Sequence, residues 1–179
     1  MKLWIRAPCP AAPDQPVETS QVRSVLKYNF PGLSDANIFT DITKRDHKKA
    51  PRSDVYTAGF PCQEYSRQGK GRGLRSEKGT VGLHVVEYIR CKQPKVFLLE
   101  NVQNLVNQHA KSFEILMNQL KEIKSKGGKQ TYTLRYNVLN AIDYTLPQNR
   151  PRVIIVGIKA SCEKKSRPFS WPAKQRTWP

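Results

Sequence analysis

The sequence lacks several things that would place it in a common class. Its four cysteines, Cys9, Cys62, Cys91 and Cys162, are widely spaced and form no Cys-x-x-Cys pair. That argues against both a disulfide framework and a zinc site, and no metal is expected. No apolar run approaches the roughly 20 residues that a membrane-spanning helix needs. Pro8, Pro10, Pro13 and Pro16 interrupt any secretory core near the N-terminus. An intracellular protein is expected. Histidine is scarce, and His47, His84 and His109 are scattered, so each is read as a surface residue. Acidic residues are also few. Fourteen face 31 lysines and arginines, for a net charge of +17 over 179 residues. Such an excess can serve solubility alone, but in a chain this short it points to a polyanionic partner, with nucleic acid the first candidate.

The segments that are present alternate in character. Residues 1–17 are rich in proline and alanine and read as an irregular leader. Gln21 to Asn29 reads as a short helix with Val22, Val25 and Leu26 on one face, ended by Pro31 and Gly32. Asn37 to Ile42 reads as a short strand ending near Asp41, and Lys44 to Arg52 as a basic linker. Val55 to Ala58 suits a buried strand, stopped by Gly59 and Pro61. Thr80 to Cys91 reads as a helix closed by Pro94. Val96 to Glu100 is apolar, too short for a helix and typical of a central parallel strand. In Lys111 to Lys126, Phe113, Leu116, Met117, Leu120 and Ile123 recur at helical spacing, and Gly127 and Gly128 would cap the helix. Tyr132 to Leu139 and Val153 to Ile158 complete the strands. The alternation implies a three-layer α/β fold.

Two residues stand out because of where the strands end. Cys62 follows the strand at 55–58, and Glu100 closes the one at 96–100. In a parallel sheet those ends lie side by side, on the rim where ligands bind. Most lone cysteines are small buried hydrophobes. Cys62, however, leads into a polar loop carrying Arg67, Lys70, Arg72, Arg75 and Lys78 against the single acid Glu77, and a thiolate is favoured in such a setting. A carboxylate at the end of an apolar strand is partly desolvated and suited to hold or donate a proton. It could equally cap the following turn.

These residues together resemble the cytosine-5 DNA methyltransferases. Gly59-Phe60-Pro61-Cys62-Gln63 with Ser66 looks like that family's nucleophile motif, and Glu100-Asn101-Val102 like its acid motif. Gln148-Asn149-Arg150-Pro151-Arg152 looks like its Gln-x-Arg-x-Arg motif, and Asp41-Ile42 like the motif that contacts the cofactor adenine. The resemblance covers roughly residues 18–159 and implies a Rossmann-like three-layer methyltransferase domain. It also implies that Cys62 adds to carbon 6 of a flipped cytosine in double-stranded DNA, after which carbon 5 takes a methyl group from S-adenosylmethionine. Glu100 would engage the ring nitrogen and amino group, Arg152 the base carbonyl, and Arg150 would support the pocket. Asp41, Ile42, Glu18 and Pro61 would meet the cofactor. Gln63, Ser66, Arg67, Lys70, Arg72 and Arg75 would meet DNA, with Gly69, Gly71 and Gly73 giving that loop its freedom.

The departures from the family pattern are expectations too. The glycine-rich opening motif has no counterpart in residues 1–20, and Val81-Gly82 stands where the family has Leu-Phe. Residues 160–179 form an irregular tail that could begin a target-recognition region. An incomplete catalytic domain is therefore expected, acting in a nucleus or nucleoid. A catalytically inactive DNA-binding relic is an alternative. A transfer-RNA cytosine methyltransferase is another, although that branch has Pro-Pro-Cys-Gln and a threonine where Ser66 stands. A thiol-redox enzyme is a distant fourth, because no second cysteine lies near Cys62. On the charge alone, DNA affinity should be electrostatic and weakly selective. If roughly six phosphates are contacted, it should fall by about a thousandfold between about 50 and about 200 mM salt. Fluorescence-anisotropy titrations in a salt series check this, and a flat profile or sharp discrimination between DNA sequences would contradict it.

Overall fold

The computed structural model describes residues 19–32, 34–35, 38–39, 41–61, 81–164, 166 and 168–175. The elements in chain order are α1 (Thr19–Asn29), β1 (Val55–Gly59), α2 (Val81–Lys92), β2 (Val96–Val102), α3 (Asn104–Asn107), α4 (Ala110–Lys121), β3 (Tyr132–Asn140) and β4 (Pro151–Lys159). Short 3₁₀ turns follow β3 and β4.

The strands form one sheet in the order β1-β2-β4-β3. β1 and β2 are parallel, while β4 runs antiparallel to both β2 and β3. The expected central strand at 96–100 is therefore parallel to only one of its neighbours. The physical reason is the short link between β3 and β4. Residues 141–150 can return the chain only as a hairpin-like connection, since a parallel crossover needs a dozen or more residues.

Strand alternation sends Phe97, Leu99 and Asn101 to one face, and their β4 partners Gly157, Ile155 and Val153 share it. This face carries the core. Val85, Val86 and Ile89 of α2 and Phe113, Leu116 and Leu120 of α4 pack against Phe97, Leu99, Tyr132, Val153 and Ile155. The opposite face carries Leu98, Glu100, Arg152, Ile154, Thr133 and Arg135. Against Thr133 and Arg135 lies the segment after β4. Glu163 accepts from the Thr133 hydroxyl at 2.7 Å and from Arg135 at 2.6 Å. The Arg135 guanidinium stands 5.9 Å over the ring of Phe169. These contacts tie the described part of the segment after β4 to the sheet.

Two expected elements differ. The residues Ile38, Phe39, Asp41 and Ile42 form no strand. Asp41 instead captures the backbone N–H and hydroxyl of Thr43, at 2.8 and 2.7 Å, which turns the chain. The helix expected to reach Lys126 stops at Lys121. Beyond it, Lys124 bridges Gln130, and the amide of Thr131 donates to the Ile123 carbonyl at 3.0 Å. Gly127 and Gly128 therefore lie in a tight reversal rather than at a helix cap. Gly128 takes the left-handed conformation there, with φ of 75°.

Phe97 is fully buried, and a Cβ on Gly157 would come within 2.1 Å of its ring. Gly157→Ala is therefore expected to cost about 3 kcal/mol, the upper end of overpacking effects. Gly127→Ala, with nothing within 4 Å of the new methyl, should stay within about 0.5 kcal/mol of the parent. Urea unfolding midpoints of the two variants test the packing.

Candidate active site

The site is assembled at one rim of the sheet. Parallel pairing sets Gly59 opposite Glu100. The contact is close: a Cβ on Gly59 would lie 3.2 Å from Oε2 of Glu100. The chain then leaves β1 through Phe60, whose ring is buried against Gly82 of α2, and through half-buried Pro61. Asn101 holds this exit. Its side chain is 2% exposed. Its Nδ2 donates to the Phe60 carbonyl at 3.3 Å, and its Oδ1 accepts the backbone N–H of Val102 at 2.9 Å.

Glu100 points to the other face of the strand. Antiparallel pairing sets Arg152 opposite Val102, so Arg152 lies diagonal to Glu100 on the same face. The Arg152 Nε to Glu100 Oε1 distance is 2.9 Å. Another guanidinium nitrogen of Arg152 donates to the Pro151 carbonyl at 2.9 Å. Both side chains are partly exposed, so the pair lies open on the rim.

Arg150 is exposed and is not brought into this pair. Its backbone N–H donates to Oδ1 of Asn140 at 2.8 Å, while Nδ2 of Asn140 donates to Oδ1 of Asn149, also at 2.8 Å. Asn140 thus shapes the turn that presents 148–152. It was missed in the sequence because the bond spans ten residues and belongs to no motif. The same connection holds Thr145 at φ of 68°, a conformation that a β-branched residue rarely adopts.

Asp41 lies apart, on the segment that precedes β1. The Thr43 hydroxyl, then the Thr43 amide, hold its carboxyl below the usual aspartate range against the opposing effect of burial, with smaller help from Lys44 and His84. Ile42 is partly buried against the core. An ionised acceptor beside an apolar side chain fits the amino edge and face of a purine. Cys62, Gln63, Ser66, Arg67, Lys70, Arg72, Arg75 and Glu18 lie outside the described residues. Among the described residues no His, Cys, Asp or Glu cluster could hold a metal ion, and no helix is long and apolar enough to cross a membrane.

The family described as C-5 cytosine-specific DNA methylase matches residues 19–179. This chain belongs to that family. Its curated relatives include the type II methyltransferase M.NgoBI of Neisseria gonorrhoeae, 38% identical over 151 residues, covering 84% of this chain and 43% of that protein. Another is M.HhaI of Haemophilus parahaemolyticus, 32% identical over 139 residues, covering 77% of this chain and 40% of that protein. The chain spans less than half the length of these relatives. Among solved structures, the Entamoeba histolytica methyltransferase EhMeth is 15% identical and superposes with a TM-score of 0.56, covering 86% of this chain and 46% of that one. A Spodoptera frugiperda DNMT2 variant is 19% identical with a TM-score of 0.54, covering 86% and 42%. Both are likenesses of fold, and they bear out the expected Rossmann-like α/β architecture of this methylase chain.

Asn101 is the member of this rim whose loss is easiest to read. Asn101→Ala strands a buried carbonyl and a half-buried amide, so a loss of about 1–3 kcal/mol is expected. Asn101→Asp sets a carboxylate oxygen against the Phe60 carbonyl and should cost at least as much. Chemical denaturation of both variants checks the assignment, and a neutral Asn101→Asp would contradict it.

Proposed function

We propose that this chain carries the base-activating half of a DNA cytosine-5 methyltransferase. The observation that supports the reading most directly is the Glu100–Arg152 pair, set against Gly59 three residues before Cys62. A carboxylate and a guanidinium side by side match the hydrogen-bonding edge of cytosine. The carboxyl faces the ring nitrogen and exocyclic amine, and the guanidinium faces the carbonyl.

Carbon 6 of cytosine is a poor electrophile, so addition needs a thiolate and somewhere for the resulting charge to go. In this reading the sulfur of Cys62 bonds to carbon 6, and the electron pair of the 5,6 double bond moves to carbon 5. Glu100 at the ring nitrogen and Arg152 at the carbonyl offset the negative charge that develops on the ring. S-adenosylmethionine, when bound, supplies an electrophilic methyl group for carbon 5. Loss of the carbon 5 proton to a base then drives the sulfur off carbon 6 and restores both the ring and the thiolate. Asp41 and Ile42 would hold the adenine end of the donor, with Glu18 and Pro61 as further contacts. Arg150 would support the pocket from the turn that Asn140 shapes.

The duplex must surrender its base before any of this, and the basic loop is suited to hold the opened strand. Arg67, Lys70, Arg72 and Arg75 would take phosphate charge, with Gln63 and Ser66 as neutral contacts. Such a protein works where DNA is kept, in a nucleus or nucleoid. Domain assignment follows the same reading, with residues 18–159 as catalytic core and 160–179 as the approach to a recognition region.

The proposed chemistry is separable from methyl transfer. Addition of Cys62 to carbon 6 makes carbon 5 exchange its hydrogen with water, even without a donor. DNA labelled with tritium at cytosine carbon 5 should release label in the presence of the chain. Cys62→Ser should abolish release, and Glu100→Gln should reduce it by about 100-fold or more. Parallel incubation with labelled S-adenosylmethionine reads the second half. Release that persists in Cys62→Ser, or no release at all, would overturn the reading.

A further inference from the structure

The segment that carries Asp41 and Ile42 is built from two successive turns. Asp41 closes the first on Thr43, and Asp46 closes the second by accepting the N–H of Lys48 at 2.8 Å. Helix α2 holds this segment through one face, at positions four residues apart. The Tyr88 hydroxyl donates to the Pro51 carbonyl at 2.8 Å. Lys92 donates to the Lys48 carbonyl at 2.6 Å. The third hold is His84, whose Nδ1 lies 3.4 Å from Nε2 of His47. His47 is buried, 8% exposed, contrary to the surface role expected from the sequence. Its other ring nitrogen, Nδ1, lies 3.4 Å from a terminal guanidinium nitrogen of Arg45. Arg45 is itself stacked 4.9 Å over the Tyr88 ring and 5.3 Å over that of Phe39.

The direction of this chain follows from its first member. A guanidinium only donates, so Nδ1 of His47 must accept, and the ring proton of His47 sits on Nε2. That proton points at Nδ1 of His84, which must accept in turn. His47 is neutral in this arrangement. A further proton on it would set N–H against the Arg45 cation and break the chain.

We propose that the Arg45–His47–His84 chain is an acid-sensitive latch that positions the Asp41–Ile42 wall of the methyl-donor site against α2. The proposal rests on the assignment of Asp41 and Ile42 to the donor. The groups facing the pair are Arg45, Asp46 and Asp41 from the segment and Glu87 from α2. Burial first, then the charges of Arg45 and His84, push His47 below its ordinary value of 6.5, and Glu87 and Asp46 pull only partly the other way. A histidine whose value is lowered by folding favours the folded state when neutral. Its contribution is therefore full above 6.5 and is lost as pH falls below that toward the lowered value.

The test uses the wild-type chain and His47→Gln, whose amide oxygen can still accept from Arg45 and whose amide nitrogen can still donate to His84, but which does not titrate. Affinity for S-adenosylhomocysteine should fall by about tenfold between about pH 7.5 and about pH 5.5 in the wild type. Hydrogen-exchange protection of the Thr43 and Lys48 amides should fall over the same range. His47→Gln should flatten both profiles. Protection that does not change with pH, or a pH dependence that survives intact in His47→Gln, would overturn the latch. If the analogue fails to bind at every pH, the donor assignment of Asp41 and Ile42 falls and the link to the donor falls with it. The exchange profile then still decides whether the histidines fasten the segment, and it can be read on the wild type alone.

Discussion

The register between β1 and β2 is the constraint on which the rest depends. It sets Gly59 beside Glu100 and carries Phe60 across Asn101. A slip of one residue would turn Glu100 into the core and Asn101 out of it. What prevents the slip is packing. Phe97 and Leu99 are fully buried on the helix face, and Phe97 fits only because its partner in β4 is Gly157. An apolar core thus fixes the position of a carboxylate that it does not touch.

The antiparallel course of β4 matters as much. Arg152 stands at the beginning of that strand and Glu100 near the end of β2. Because the strands run in opposite directions, beginning and end share one rim. Had β4 been parallel, Arg152 would lie toward the other edge of the sheet, about 20 Å away over six or seven residues at about 3.3 Å each. A sheet parallel throughout would therefore have separated two residues that the motifs put together. The hairpin-like connection of residues 141–150 resolves the conflict.

Most of the elements were legible because their signals are local. The apolar runs at 55–58, 96–100 and 153–158 became strands, and the helical spacing of Phe113, Leu116, Met117 and Leu120 became α4. The nearness of Glu100 and Arg152 was legible only through the resemblance, since nothing in either stretch names the other. What escaped depends on side chains bonding across the chain. Asp41 folds its own backbone into a turn, which defeats the strand expected there. His47 meets His84 across 37 residues and is buried by α2, so a scattered histidine pair proved to be an internal one. No pattern of hydrophobicity reports such bonds.

The distribution of charge ties the fold to its proposed partner. Acidic residues are few, and those described are largely neutralised from within. Asp35 pairs with Arg23 and Lys27, Asp54 with Lys95, Glu87 with Arg90, Asp143 with Lys174 and Glu163 with Arg135. Exposed pairs of this kind contribute little to stability. Their larger effect is on the field outside the molecule. Each pair offsets a negative charge that would repel phosphate, so the surplus of basic side chains faces a polyanion with little opposition. The same holds at the active rim. Arg152 stands 2.9 Å from Glu100 and offsets its charge. In the proposed reading, the carboxyl that would engage the base therefore does not repel an approaching strand.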